Sequence, residues 1–481
     1  MGDFGSTMTR RQALASLAAL GQHAAAQPSA PPPDIVFVLS DDHSAPYLGC
    51  YGDKEIRTPN LDRFAAQGMR FTHAYTAAPQ CVPSRTAFMT GRSPVAARMG
   101  RFSSPLPPDV VTLPELLRAK GYFTGVCRRW FHLDGPGRTG PTTAALFQKN
   151  HMLTWQRRVD WLDGQSTRAQ TKAKLNEFFD KRPDGRPYFL WVNFNDPHHP
   201  WDAGSLERPH DPAKVTLTPD VPDVPGMRED FRRYYDEIGR MDEEFQWVLD
   251  AVAARGNPEN TIVVFMGDNG MALPRGKGSL YERGLHVPLL VRWPKRLKAG
   301  QVNDDLISGE DITPTLLEAA GGEPLKEMTG RSFLGALTGQ ARSPREAIFG
   351  ARLYHGNSPF EPNTKASTFD LSRCVRTRKW KLIYNCTPQM EYQPVDSARD
   401  PGWQRVVGLH NDGQLKEDWE RIYFGKRPVL ELYDLEKDPH ELENLAGRTE
   451  HSKIERELKV LLAEKMIIDY DYLPLPVAGT E

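Results

Sequence analysis

The chain has 481 residues, 39% of them apolar and 26% charged, with a net charge of -1. That length favours two domains, and the even charge balance excludes the uniformly basic surface of a nucleic-acid binder. The five cysteines, Cys50, Cys81, Cys127, Cys374 and Cys386, form neither a disulfide framework nor a paired zinc motif, although export would allow a Cys374–Cys386 bridge.

The first segment reads as an address. "MTRRQALASLAALGQHAAAQ" joins Arg10 and Arg11 to a short Ala and Leu run, then to small residues around Ala24 to Ala26, in the order of a twin-arginine signal with its cleavage site. The apolar run is too short to span a bilayer, so no stable membrane insertion is expected. Residues 1–33 are assigned to signal peptide and linker, "PSAPPP" being the linker, and the expected destination is periplasmic or secreted.

Four apolar runs follow: "DIVFVLS", "GYFTGVC", "PYFLWVNFN" and "TIVVFM". Each is short and rich in β-branched and aromatic residues, as strands buried on both faces are. Between the first two strands, "TLPELLRAKG" carries a Thr112–Glu115 capping box, Pro114 in the first turn and Gly121 as a stop, which predicts a helix. Alternation of this kind predicts an α/β domain over residues 34–340 with a mostly parallel sheet covered by helices. Ligands of such sheets bind beyond the carboxyl ends of the strands, so the polar clusters "DDH", "RRWFH", "DPHHP" and "GDNG" should meet in one pocket. From about residue 341 to 481 the texture changes, and "RCVRTRKWKLIYN" alternates apolar and basic residues as in a half-exposed antiparallel sheet of a smaller α+β domain.

The clusters carry chemistry. Asp41, Asp42, Asp268 and Asn269 offer oxygen ligands from two strand ends, a set suited to calcium or magnesium rather than zinc. Taken alone, "DD" and "GDNG" also read as turns or caps; their shared position is what favours a metal. Arg85, Arg129, Lys277, His132 and His198 add cations to the same rim, which suits a tetrahedral oxyanion, phosphate or sulfate, although a lone lysine or loop histidine is more often structural. Cys81 stands at the start of a helix with Pro83 in its first turn, where free N–H groups favour an anion. A thiolate could attack an ester there, but thiolate phosphatases need no oxygen-ligated metal beside them.

In the order "SDD", "CVPSR" with "TGR", "FHLDG", "DPHHP", "GDNG", "GKGSLYERG" and "YDLEKDPHELENLA", over about residues 34 to 446, the chain resembles the type I sulfatases of the alkaline phosphatase superfamily. "GDNGMALPRGKGSLYERG" and "ELYDLEKDPHELENLA" look most like its heparan N-sulfatase group. The resemblance implies a large mixed, mostly parallel sheet sandwiched by helices, with a smaller C-terminal domain carrying an antiparallel sheet. It implies that a maturation enzyme oxidises Cys81 to formylglycine, whose hydrate joins Asp41, Asp42, Asp268 and Asn269 around calcium and attacks sulfur. Asp268 would accept a proton, His198 and Lys277 would bind sulfate and protonate the leaving atom, and His132 would help expel sulfate. The substrate would be a sulfated carbohydrate. Where the family has lysine before the active-site histidine this chain has Arg129, with Arg128 as the other candidate. Two alternatives stay open: a phosphonate monoester or phosphodiester hydrolase of the same superfamily, and a non-catalytic binder of sulfated glycans.

Overall fold

Twelve strands organise the described residues of the computed structural model, which are 31–100, 104–134, 140–164, 166–202, 204, 206–341, 343–354, 370–390 and 392–476. The expected export signal lies outside them. Residues 33–481 form one unit.

The four predicted strands are β1 (Asp34–Ser40), β3 (Phe123–Arg128), β5 (Tyr188–Asn193) and β6 (Thr261–Gly267). They are adjacent and parallel, joined at the edges by β2 (Met69–Tyr75), β4 (Trp161–Leu162), β7 (Leu289–Arg292) and β8 (Gln301–Ser308) in the order β4-β3-β5-β1-β6-β7-β2-β8. Only β7 runs antiparallel to its neighbours. The register matters most for function. Ser40 pairs with Gly267, Leu39 with Asn193, and Arg128 with Asn193, so four strands end at one level.

Alternate residues of these strands enter two cores, as the two-residue pleat demands. Val36, Val38, Val263 and Phe265 pack beneath Phe231, Ile238 and Phe245 of a long helix, Met227–Arg255. Ile35, Phe37, Leu39 and Val264 pack with Phe88 of the helix Cys81–Thr90 and with Leu113 and Leu117 of Leu113–Ala119. The last of these has the expected Thr112–Glu115 capping box, and Gly91 ends the Cys81 helix in the left-handed region, φ 65°.

The second sheet, in the order β12-β11-β10-β9, comprises β9 (Ile348–Arg352), β10 (Ser372–Arg376), β11 (Trp380–Asn385) and β12 (Leu430–Asp434), all antiparallel. It is not half-exposed as its alternation suggests. Val375 and Leu382 pack under Leu458 and Leu462 of the helix Ser452–Ile468, and Cys374 and Ile383 pack with Tyr75 and Leu285 on the other face. The intervening cations are buried because each meets a carboxylate: Lys381 with Glu282 and Glu441, Arg376 with Glu282, Arg373 with Asp471. All five cysteines are free, so Cys374 and Cys386 are not bridged. No described helix is long and apolar enough to cross a membrane.

Candidate active site

At the common strand ends the backbone turns sharply. Asp42 adopts φ 62°, a left-handed conformation that aspartate tolerates better than most residues, and it breaks the pleat so that Asp41 and Asp42 both face Cys81. The Cys81 thiol lies 3.4 Å from Asp41 Oδ1 and 3.8 Å from Asp42 Oδ1. One donor atom from each of Asp41, Asp42, Cys81 and His198 falls within 4.8 Å of the others. Strand β2, absent from the sequence reading, is what delivers Cys81: the chain leaves Tyr75 at the same edge and enters the helix six residues later. Gln80 directs its side chain to Leu353, so that helix starts without a side-chain cap, open toward the cluster.

Arg85 ties the carboxylates together. Its guanidinium reaches Asp41 Oδ2 and Asp268 Oδ2, both at 2.9 Å, and Asn193 Oδ1 at 2.8 Å. Asp268 Oδ1 accepts the backbone N–H of Asp42 and of Asn269, at 2.9 and 2.7 Å. Lys277 stands over Asp42 at 2.9 Å and lies 3.3 Å from His198 Nε2. Gly278 behind it has φ 77°, and a Cβ there would come within 2.3 Å of Val395, so the loop that presents Lys277 requires glycine.

The two adjacent arginines part company. Arg129 reaches Asp41 Oδ2 at 2.8 Å and His132 Nε2 at 3.3 Å, whereas Arg128, at φ 58°, turns away to Glu244 and Thr171. Of the two, Arg129 is therefore the one that joins the cluster. Asp396, 2.7 Å from Lys277, had no signal in the sequence: it comes from an irregular segment far down the chain, which also holds Ser397 against Ala272 and Asp400 against His199.

Burial dominates the titration of the cluster. Despite Lys277, burial and the neighbouring Asp41 push the Asp42 carboxyl up to about 8, and burial with Asp41 raises Asp268 to about 6. At Asp41 burial is overridden by Arg129 and Arg85, which hold the carboxyl well below its usual range. Burial, then Arg85 and Arg129, keeps His132 neutral, and burial with Lys277 does the same to His198. Burial and Asp41 push the Cys81 thiol well above its ordinary value, which leaves it protonated and a poor nucleophile as it stands.

The donor set fits a hard cation. Asn269 Oδ1 is buried with no hydrogen-bond partner, and Asp41 Oδ2 meets only its two arginine ion pairs. A separate cavity of about 640 Å³ borders Ser44, Tyr47, Arg275 and Arg283 but none of the cluster.

The sulfatase family model matches residues 33–322. The chain belongs to the sulfatase family. It is thus a sulfuric ester hydrolase, and a second model, the C-terminal region of N-sulphoglucosamine sulphohydrolase, matches residues 276–418 of this sulfatase. It is 30% identical over 456 residues to an ulvan-active sulfatase of Formosa agariphila, covering 87% of this chain and 72% of the relative. It is 29% identical over 476 residues to human N-sulphoglucosamine sulphohydrolase, covering 90% and 89%. A solved structure of a protein bound to its substrate D-glucosamine-2-N,6-O-disulfate superposes with a TM-score of 0.68 at 20% identity, over 93% of this chain and all of that one, which shows the shared fold.

Proposed function

We propose that this sulfatase removes sulfate from a sulfated sugar, with formylglycine made from Cys81 and a calcium ion held by Asp41, Asp42, Asp268 and Asn269. The observation that carries the reading is the convergence of Cys81 with Asp41, Asp42 and His198 inside a buried ring of cations. The sugar class is supported by the name of the human relative and of the C-terminal model.

Calcium would supply positive charge to sulfuryl oxygens and to the attacking oxygen. Formylglycine would supply a hydrated aldehyde, one hydroxyl to attack sulfur and a second to let sulfate leave. The chain's own residues do the rest. Arg85 locks Asp41 and Asp268 in place, and Arg129 secures Asp41 from the other side. Lys277 and His198, 3.3 Å apart, hold sulfate and pass a proton to the leaving oxygen or nitrogen. His132, neutral beside Arg129, accepts a proton as sulfate departs, and Asp268 accepts the one lost on attack. Cys81 is 1% exposed, so its maturation enzyme acts before the helix packs. Export by the twin-arginine route fits Arg10 and Arg11 and a destination in the periplasm or outside the cell.

The test is turnover of N- and O-sulfated glucosamines, sulfated oligosaccharides and phosphate diesters by protein made with a maturation enzyme, together with mass analysis of the Cys81 peptide. Sulfate release by aldehyde-bearing protein is expected. Turnover of phosphate or phosphonate esters alone, or binding without turnover by fully modified protein, would overturn the reading.

A further inference from the structure

The C-terminal half carries another cavity, of about 600 Å³, lined by none of the catalytic candidates. Its charge is one-sided. Arg275, Arg421, Lys426, Arg427 and Arg448 face it, against Glu431 and Glu443. Glu431 is already engaged, accepting from Tyr281 Oη at 2.9 Å and from Asn385 Nδ2 and Tyr433 Oη at 2.6 Å. Arg275 is part of a rigid, buried wall: its guanidinium lies 3.6 Å from the Tyr281 ring centroid and donates to the Glu441 carbonyl at 2.8 Å. Arg427 is anchored on Asp370 and Asn385.

The rim is different. Arg421 and Arg448 are exposed and form ion pairs with the exposed Asp418 and Glu443, Arg421 also donating to the Leu442 carbonyl at 3.4 Å, and Lys426, also exposed, has no ion-pair partner among the described residues. Such pairs contribute little and exchange readily for a better anion. The volume is that of a ligand pocket, and arginine forks suit tetrahedral anions. The cavity also shares a wall with the catalytic cluster: Arg275 and Tyr281 face it, while Lys277 between them faces Asp42.

We propose that this cavity is a second, non-catalytic site for a sulfated glycan, engaging its sulfate groups away from the catalytic cluster. The ligand class rests on the proposed function. The site gives no help to a monosaccharide and holds a longer chain against the enzyme.

The experiment combines Arg421→Ala, Lys426→Ala and Arg448→Ala in the full chain. Loss of these exposed ion pairs should leave the thermal midpoint unchanged. Expected are an unchanged kcat/KM on a small aryl sulfate and, in the Cys81→Ala background, about tenfold weaker binding of a sulfated octasaccharide at physiological salt. Each single variant should show a smaller loss in the same direction. Equal octasaccharide binding by the triple variant and its parent would overturn the proposal, as would equal binding of the desulfated octasaccharide or of polyphosphate by the parent. An aryl sulfatase that ignores sulfated sugars would instead sink the sugar reading on which the site depends.

Discussion

Two of the clusters in which the chain buries charge are built differently. Between the sheets, Lys381 is fully enclosed with Glu282 at 2.7 Å and Glu441 at 2.8 Å, and Arg376 and Tyr75 complete the set at 3.2 and 3.1 Å from Glu282. Two carboxylates meet two cations: although burial opposes it, Arg376 and Lys381 hold Glu282 well below the usual range, while burial, against Lys381, raises Glu441. At the strand ends, Asp41, Asp42, Asp268 and Asp396 face Arg85, Arg129 and Lys277, which leaves one negative charge in excess, and burial, then the neighbouring carboxylates, raises Asp42 to about 8. A divalent cation and a singly charged sulfate ester would together restore balance there. The closed cluster joins two layers of the fold, whereas the strand-end cluster is left with a charge that the proposed ligands would answer.

The sharpest break between them is Cys81→Ala. Turnover should fall by on the order of 10⁴-fold or more, because the variant cannot form the proposed nucleophile, while the thermal midpoint barely moves. Retained turnover would remove the cysteine from the chemistry. Next comes the adjacent arginine pair. Arg129→Ala should lower kcat by about a hundredfold, since it withdraws a cation from the cluster, with the fold intact. Arg128→Ala should do the reverse, leaving buried Glu244 with Thr171 but no cation, at a cost of about 3 kcal/mol in denaturant unfolding and with turnover preserved. An activity loss in both would mean that the geometry of this pair misassigns them.

Glu282→Gln probes the closed cluster. Lys381 keeps Glu441, but buried Arg376 loses its carboxylate partner, so the expected cost is about 3 kcal/mol, with kcat/KM within about twofold of the parent. A collapse of activity in folded Glu282→Gln would show that the two clusters are coupled.

These regions also differed in how far the sequence disclosed them. Strands β1, β3, β5 and β6 were legible because both their faces are apolar, and the residues just beyond them fell into place with the register. Strands β2 and β8, "MRFTHAY" and "QVNDDLIS", mix polar residues into short runs and gave no such signal. The 29-residue helix Met227–Arg255 carries acids on its buried face whose role the sequence does not show: Asp236, Asp242 and Glu244 bind His210, the backbone N–H groups of Asn60 and Leu61, and Arg128. The buried sheet cations were read as exposed for the same reason, since their carboxylate partners lie on other elements. Asp396 could not be read at all, because only tertiary packing carries its irregular segment to Lys277.

The smallest effect concerns pH, and it separates the strand-end cluster from buried acids such as Glu237 that no ion is proposed to touch. In the unfolded chain Asp42 is ionised above about pH 3.8, whereas without a cation the folded chain keeps its proton to about pH 8. The folded state then binds the extra proton across that window, so stability falls as pH rises through it. Below about pH 6.5 the two histidines act in the opposite sense, since burial keeps them neutral in the fold while the unfolded chain protonates them. From pH 6.5 to 8 that opposition is gone. Glu237, also raised to about 8, contributes equally with and without metal. The gap in thermal midpoint between calcium-loaded and metal-free protein should therefore widen from pH 6.5 to 8, and Asp42→Asn should abolish the widening. A constant gap across that range in the parent protein would show that the ion does not sit on Asp42.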